Sequence, residues 1–264
     1  MLRLMVSLAL LPFPPPLAGP PQRSVPVPRV LTPGGDRLGY APAVTTRPEV
    51  GVLVGRDPID GREIVCGGSV VRSRSRSLVL TAAHCLYHRG RLLERLEFTP
   101  GFQGAGSPLG AWSAVHAWVP ARWRERPGAP SRLPYDVALV GVARKGRTLG
   151  EVAGGGLRPL TGRSGARSLD LLGYPAGRDY PGTRLYHCLA RTAPYRGVLV
   201  THNCHAAGGG SGGPAVRGGG VAAVVSSSSP LSDPDGFTVL APLDSRAFRR
   251  MLVRAETVMR EEPR

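Results

Sequence analysis

Lysine is nearly missing from this chain. Lys145 is the single one among 34 basic residues, so the positive charge is almost entirely arginine. Acidic residues number 18 and the formal net charge is +16, a balance that predicts attraction to anionic surfaces such as cell-wall polymers, acidic proteins or nucleic acid. Aromatic residues are scarce (6%) and do not interleave with the arginines, which are scattered rather than gathered into a stripe. A specific nucleic-acid partner is therefore not expected. Long apolar runs are also missing. The run Leu4–Leu11 is too short to cross a bilayer and nothing later is longer, so no membrane anchor is expected. With 42% hydrophobic residues over 264 positions, the chain can nonetheless bury a substantial core, as one domain or as two fused halves.

What is present at the N-terminus is Arg3, the apolar run Leu4–Leu11, and small residues at Ala18 and Gly19. This arrangement fits an export signal over residues 1–19, although a disordered, proline-rich start of a cytosolic protein is the other reading. Residues 20–47 hold many prolines and few bulky apolar side chains, the composition of a propeptide or linker that cannot offset its ordering entropy. The ordered domain is expected over 48–264.

Within that domain short apolar segments alternate with turns. Val50–Val54, Ile64–Cys66, Leu78–Leu80, Val137–Val142, Leu169–Leu172, Leu185–Cys188, Gly197–Val200 and Val221–Val225 read as strands, with Asp57-Pro58 and Asp60-Gly61 marking one of the turns. Repetition of this kind predicts an all-β barrel or sandwich. At the end, Phe248, Met251, Leu252, Ala255 and Met259 share one face at helical spacing, and Asp244 or Ser245 is placed to cap a helix over about 245–261.

One stretch stands out chemically: Gly208-Gly209-Gly210-Ser211-Gly212-Gly213-Pro214. Glycines around a serine let a carbonyl approach closely and let backbone N–H groups aim at it, although Gly-Ser runs also serve as flexible linkers. Upstream lie Leu80-Thr81-Ala82-Ala83-His84-Cys85 and Tyr135-Asp136-Val137-Ala138-Leu139. Together they supply the serine, histidine and aspartate that acyl transfer needs: a nucleophile, a base that is neutral near pH 7, and a carboxylate to orient it. Taken singly, His84 also reads as a structural histidine and Asp136 as a turn residue. Asp57, Asp60, Asp170 and Asp179 lack a comparable context.

With these three segments in this order, residues 48–245 resemble the chymotrypsin-like (trypsin-like) serine peptidases, whose motifs are TAAHC, D-[IV]-A-L and G-x-S-G-G-P. Phe98-Thr99-Pro100-Gly101-Phe102, Gly110-Ala111-Trp112, Val119-Pro120 with Trp123, and Gly173-Tyr174-Pro175 resemble its secreted bacterial members, including the V8/glutamyl-endopeptidase-like group. The resemblance implies an all-β fold of two six-stranded antiparallel barrels, about 48–143 and 155–243, with a terminal helix packed on the second. It implies a secreted, monomeric endopeptidase that cuts polypeptides without a cofactor or metal. The implied roles are Ser211 as nucleophile, His84 as base, Asp136 as its orienter, and Gly209 and Ser211 N–H as oxyanion donors. Disulfides Cys66–Cys85 and Cys188–Cys204 also come from the resemblance; four cysteines alone allow three pairings, and a bridge over such a loop contributes about 3 kcal/mol.

The chain departs from the family at Gly210, where many members carry an aspartate that pairs with a newly cut N-terminus. The implied substrate pocket has His205 and Ala206 as its floor and Val225, Ser226, Ser227 and Ser228 as a wall. It contains no aspartate to hold arginine or lysine. His205 and the serines suit a substrate carboxylate, whereas a packed His205 leaves a pocket for small or apolar side chains. Three other readings compete with this one. An α/β-hydrolase elbow at Gly209-x-Ser211-x-Gly213 needs a later histidine, and none follows His205. A zinc site from His187, Cys188, His202, Cys204 and His205 needs donors that point to opposite faces of a strand. A catalytically impaired homologue, binding proteins or cell wall, remains as the alternative.

Overall fold

The computed structural model describes residues 41–43, 46–125, 130–162, 167–177, 180–230, 233 and 235–261. The expected export signal at 1–19 and most of the 20–47 linker lie outside the described residues. Inside that linker, Ala41–Pro42 pairs with Tyr186 and His187.

Two closed antiparallel barrels of six strands each make the fold. The first is built from β1 (Val50–Arg56), β2 (Glu63–Val71), β3 (Leu78–Thr81), β4 (Glu94–Pro100), β5 (Trp112–Trp118) and β6 (Ala138–Ala143), in the order β1-β2-β3-β6-β5-β4. The second contains β7 (Arg167–Gly173), β8 (Tyr186–Tyr195), β9 (Val198–Thr201), β10 (Pro214–Arg217), β11 (Gly220–Ser228) and β12 (Thr238–Pro242), in the order β8-β7-β10-β11-β12-β9, with β9 closing back on β8. Strand β8 shows why the sequence adopts this state. Tyr186, Cys188, Ala190 and Thr192 point inward while His187, Leu189, Arg191 and Ala193 face outward, the period of two that a half-buried strand requires. In β3 all four residues are buried, because this short strand lies between two neighbours inside the barrel.

The apolar core runs continuously across the two barrels: Val50, Val52 and Leu139 of the first share one cluster with Leu172, Val216 and Val224 of the second. Both disulfides pair as the resemblance implied, Cys66 with Cys85 and Cys188 with Cys204.

The terminal helix, Arg246–Glu261, buries Phe248, Met251, Ala255 and Met259, and Ser245 Oγ caps it by accepting the Phe248 N–H at 3.0 Å. Its seat differs from the expectation. Rather than resting on the second barrel, the helix returns to the first, where the Met259 thioether lies over Gly141 of β6. A β-carbon at Gly141 would overlap that sulfur, so the glycine creates the seat. Nothing local to the helix announces this partner, since an amphipathic face specifies burial without specifying a surface.

The turn joining β1 and β2 carries a second acid that the sequence left without a role. Buried Asp57 accepts the Ile59 N–H at Oδ1 (2.8 Å), and its Oδ2 pairs with His88 Nδ1 in the loop after His84. The Ile59 N–H, and after it His88 and Arg89, hold the Asp57 carboxyl below the ordinary carboxylate range against the opposing effect of burial. A carboxyl lowered in the folded state adds stability above its unfolded pKa, and that increment disappears as pH falls through the folded value. Asp57→Asn is therefore expected to lower the urea midpoint near neutral pH, with the difference shrinking as pH falls through the lowered Asp57 pKa. A difference that stays constant with pH would contradict this assignment.

Candidate active site

His84 is held by what surrounds its strand end. Thr81, the last residue of β3, is fully buried and its Oγ1 donates to the Gly67 carbonyl at 2.8 Å. Ala82 and Ala83 are fully buried, so only small side chains fit, and a single 3-10 turn over Ala83–Cys85 then presents the imidazole at the surface. The Cys66–Cys85 bridge ties that turn to β2.

Asp136 stands two residues before β6 and is 1% exposed. Its Oδ1 accepts the His84 backbone N–H at 2.9 Å, and its Oδ2 faces His84 Nδ1 at 2.7 Å. A third group completes the cage: Ser226 Oγ on β11 donates to the same Oδ2 at 2.6 Å. The carboxylate only accepts, so the network assigns the imidazole proton to Nδ1 and leaves Nε2 as the unprotonated nitrogen.

The Ser211 loop bridges the barrels through its backbone. The Gly67 N–H donates to the Ser211 carbonyl at 2.6 Å, the Gly212 N–H to Val225 O at 2.8 Å, and the Val225 N–H to Gly213 O at 2.9 Å. Gly212 has φ +78°, and a β-carbon there would overlap Thr81 Oγ1 and the Gly67 carbonyl. The glycine is what lets the loop sit against the strand end leading to His84. Gly210, where an ion pair was expected to be missing, is held by its backbone instead: its N–H donates to Ala207 O at 3.1 Å and its carbonyl accepts the Gly213 N–H at 3.1 Å. Among the described residues, the Gly209 and Ser211 N–H groups donate to no protein acceptor. Ser211 Oγ makes no hydrogen bond to the imidazole, whose Nε2 lies 3.7 Å from Cys85 Sγ.

The expected pocket residues divide. Ser226 turns its hydroxyl to Asp136 and is 3% exposed, and Val225 is packed into the second barrel's core. Ala206 is buried in that same core, with its N–H on Thr238 Oγ1 at 2.8 Å. Ser228 Oγ donates to the Ala206 carbonyl at 2.7 Å, whereas Ser227 is partly exposed. His205 Nε2 lies 2.8 Å from the Ser229 carbonyl, which can only accept, so that nitrogen carries the proton. Gly236 lies directly against the ring. The His205 Nε2–H is thus committed to the Ser229 carbonyl rather than to a substrate carboxylate. The zinc alternative loses two donors, because Cys188 and Cys204 are bonded to each other. His187 instead pairs with Asp170 across the β7–β8 ladder at 3.2 Å.

Sequence reasoning missed the bond from Ser226 to Asp136, the Thr81–Gly67 contact, and the bond from Gly67 to Ser211. The Cys66-Gly67-Gly68 and Val225-Ser226-Ser227-Ser228 segments carry the only signal, runs of small residues where two parts of the chain approach closely.

No family model matches the sequence. No curated protein is similar to it at the level of sequence. Solved structures do match. Protease Anisep from Arthrobacter nicotinovorans superposes with a TM-score of 0.71 at 23% identity, over 82% of this chain and 99% of that one. A thermostable serine protease, AL20, from an extremophilic microorganism gives 0.71 at 21% identity, over 80% and 98%. A Glu endopeptidase gives 0.62 at 18% identity, over 84% and 98%. The chain has the chymotrypsin-like fold that the motifs implied.

Proposed function

We propose that the protein is a secreted serine endopeptidase of the chymotrypsin-like family that hydrolyses polypeptides through an acyl-enzyme on Ser211. The observation that carries this reading is the Asp136 cage, in which a buried carboxylate grips the His84 backbone and Nδ1 and leaves Nε2 as the unprotonated nitrogen. Ser211 Oγ attacks the scissile carbonyl and gives its proton to His84 Nε2. Asp136 stabilises the imidazolium that forms, and Ser226 holds the Asp136 carboxylate in place. The oxyanion is received by the Gly209 and Ser211 N–H groups, and each such donor contributes about 3–4 kcal/mol. The imidazolium then protonates the leaving amine; water, activated by the same nitrogen, releases the acid and restores Ser211. Hydrogen bonds of this kind are long in the absence of substrate and tighten on binding, which accounts for the open Ser211–His84 geometry. The two disulfides fit an oxidising compartment and so an exported protein. The formal charge of +16 supports anionic cell-wall or surface polymers as further partners.

At the residue before the cut bond we assign a preference for small or apolar side chains, because His205 spends its N–H on Ser229 and the expected pocket residues include no carboxylate. Matched peptides with Glu, Leu, Ala and Arg at that position test the assignment by kcat/KM. Leu or Ala should lead, and an Arg peptide ahead by tenfold, about 1.4 kcal/mol in the barrier, would overturn it.

The unmade Ser211–His84 bond also favours a second reading, an impaired homologue that only binds proteins. A fluorophosphonate probe separates the two. The active peptidase becomes labelled at Ser211, and the impaired homologue does not.

A further inference from the structure

A cleft of about 610 Å³ opens on the wall of the first barrel that carries Asp136, between the terminal helix and the segment following β5. Arg246, Arg250 and Arg254 line one side of it. They recur at four-residue spacing, so they stack along one helix face at about 6 Å per step. Arg122 lines the opposite side, and no acidic side chain contributes to the lining. All four arginines are exposed. Arg246, Arg250 and Arg254 form no ion pair or hydrogen bond among the described residues, whereas Arg122 donates to the Tyr135 hydroxyl at 2.9 Å.

This arrangement works against the helix. A first turn with no acidic residue and an arginine at its start opposes the helix dipole, which favours negative charge at that end. A bound anion would relieve both the dipole and the mutual repulsion of the arginines. The floor of the cleft identifies the kind of anion. Val119, Pro120 and Met251 are apolar, which a bare phosphate chain has no use for. The aromatic faces needed to stack bases are taken, Trp118 against His116 at 5.4 Å and Tyr135 beneath the Arg122 guanidinium at 5.5 Å. Carboxylates alternating with aliphatic side chains satisfy both surfaces, since the planar guanidinium binds a carboxylate with two parallel bonds.

We propose that this cleft is a docking site for an acidic, aliphatic-containing stretch of polypeptide, held outside the catalytic cleft. It rests on the peptidase reading only in that the stretch belongs to the substrate; binding itself does not require catalysis. The probe is a fluorescein-labelled ten-residue peptide of alternating Glu and Leu, titrated into the full Ser211→Ala chain and read by anisotropy. The triple variant Arg246→Ser/Arg250→Ser/Arg254→Ser should weaken binding at least tenfold. The triple variant Arg158→Ser/Arg191→Ser/Arg217→Ser removes equal charge from the second barrel and should leave binding within twofold. Equal losses in both variants would show attraction to net charge alone and overturn the proposal. So would equal affinity for a Gln-Leu peptide, or tighter binding of inorganic polyphosphate or an oligonucleotide. In the Ser211-containing chain, the helix triple variant should lower kcat/KM for a substrate bearing a distal Glu-Leu stretch and spare a short neutral peptide. Absence of all hydrolysis would remove the peptidase reading while leaving the binding result intact.

Discussion

Ser211→Ala is expected to lower kcat by about 10⁶-fold, because no other group on this loop can form the acyl-enzyme. The fold should survive. Ser211 contributes to the barrel junction through its carbonyl, which accepts the Gly67 N–H at 2.6 Å, and alanine keeps that carbonyl. Its hydroxyl makes no hydrogen bond to His84, so removing it leaves no buried partner unsatisfied. The prediction is therefore specific: loss of hydrolysis and of fluorophosphonate labelling with little change in the unfolding midpoint. Peptide binding, measured by anisotropy with an uncleaved substrate, should be retained. Hydrolysis within a hundredfold of the unmodified chain would end the acyl-enzyme mechanism.

The next largest effect belongs to Asp136→Asn, expected to cost about 10⁴-fold in kcat near neutral pH. Every neighbour of this carboxylate is a donor: the His84 backbone N–H at Oδ1, and both His84 Nδ1 and Ser226 Oγ at Oδ2. An asparagine supplies one oxygen and one NH₂. Oxygen toward the His84 backbone leaves NH₂ facing Nδ1, so the ring must move its proton to Nε2, and the lone pair needed to accept from Ser211 disappears. The reverse orientation sets NH₂ against the backbone N–H inside a site that is 1% exposed. Either way the base is lost while the volume stays the same. Ser211 labelling should fall in parallel with kcat. Ser226→Ala, which removes one of the three donors and keeps the tautomer, should lower kcat far less than Asp136→Asn. A near-normal rate for Asp136→Asn would show that the orientation of His84 does not depend on this cage.

The sequence by itself determined eight of the twelve barrel strands, missing β4, β5, β10 and β12, and the three chemically distinctive segments around His84, Asp136 and Ser211. The reasons are local. Alternation of buried and exposed side chains along β8 is written residue by residue, and Thr81-Ala82-Ala83-His84-Cys85 carries its own small residues for a tightly packed strand end. The helical face of Phe248, Met251, Ala255 and Met259 was legible for the same reason. Only the tertiary structure decided what those elements meet. The helix returned to the first barrel because Gly141 left room for Met259, a fit between positions far apart in the chain. Ser226 went to Asp136 rather than to the pocket because 90 residues separate donor and acceptor, and a hydroxyl's partner depends on what the fold brings near it. His205 was likewise committed to the Ser229 carbonyl by the course of the chain between them. The arginines, scattered in sequence, converge because helical spacing aligns three of them and the segment after β5 supplies the fourth. Periodicity is a short-range property of the chain; the pairing of surfaces depends on long-range shape and charge, and those exist only once the barrels have closed.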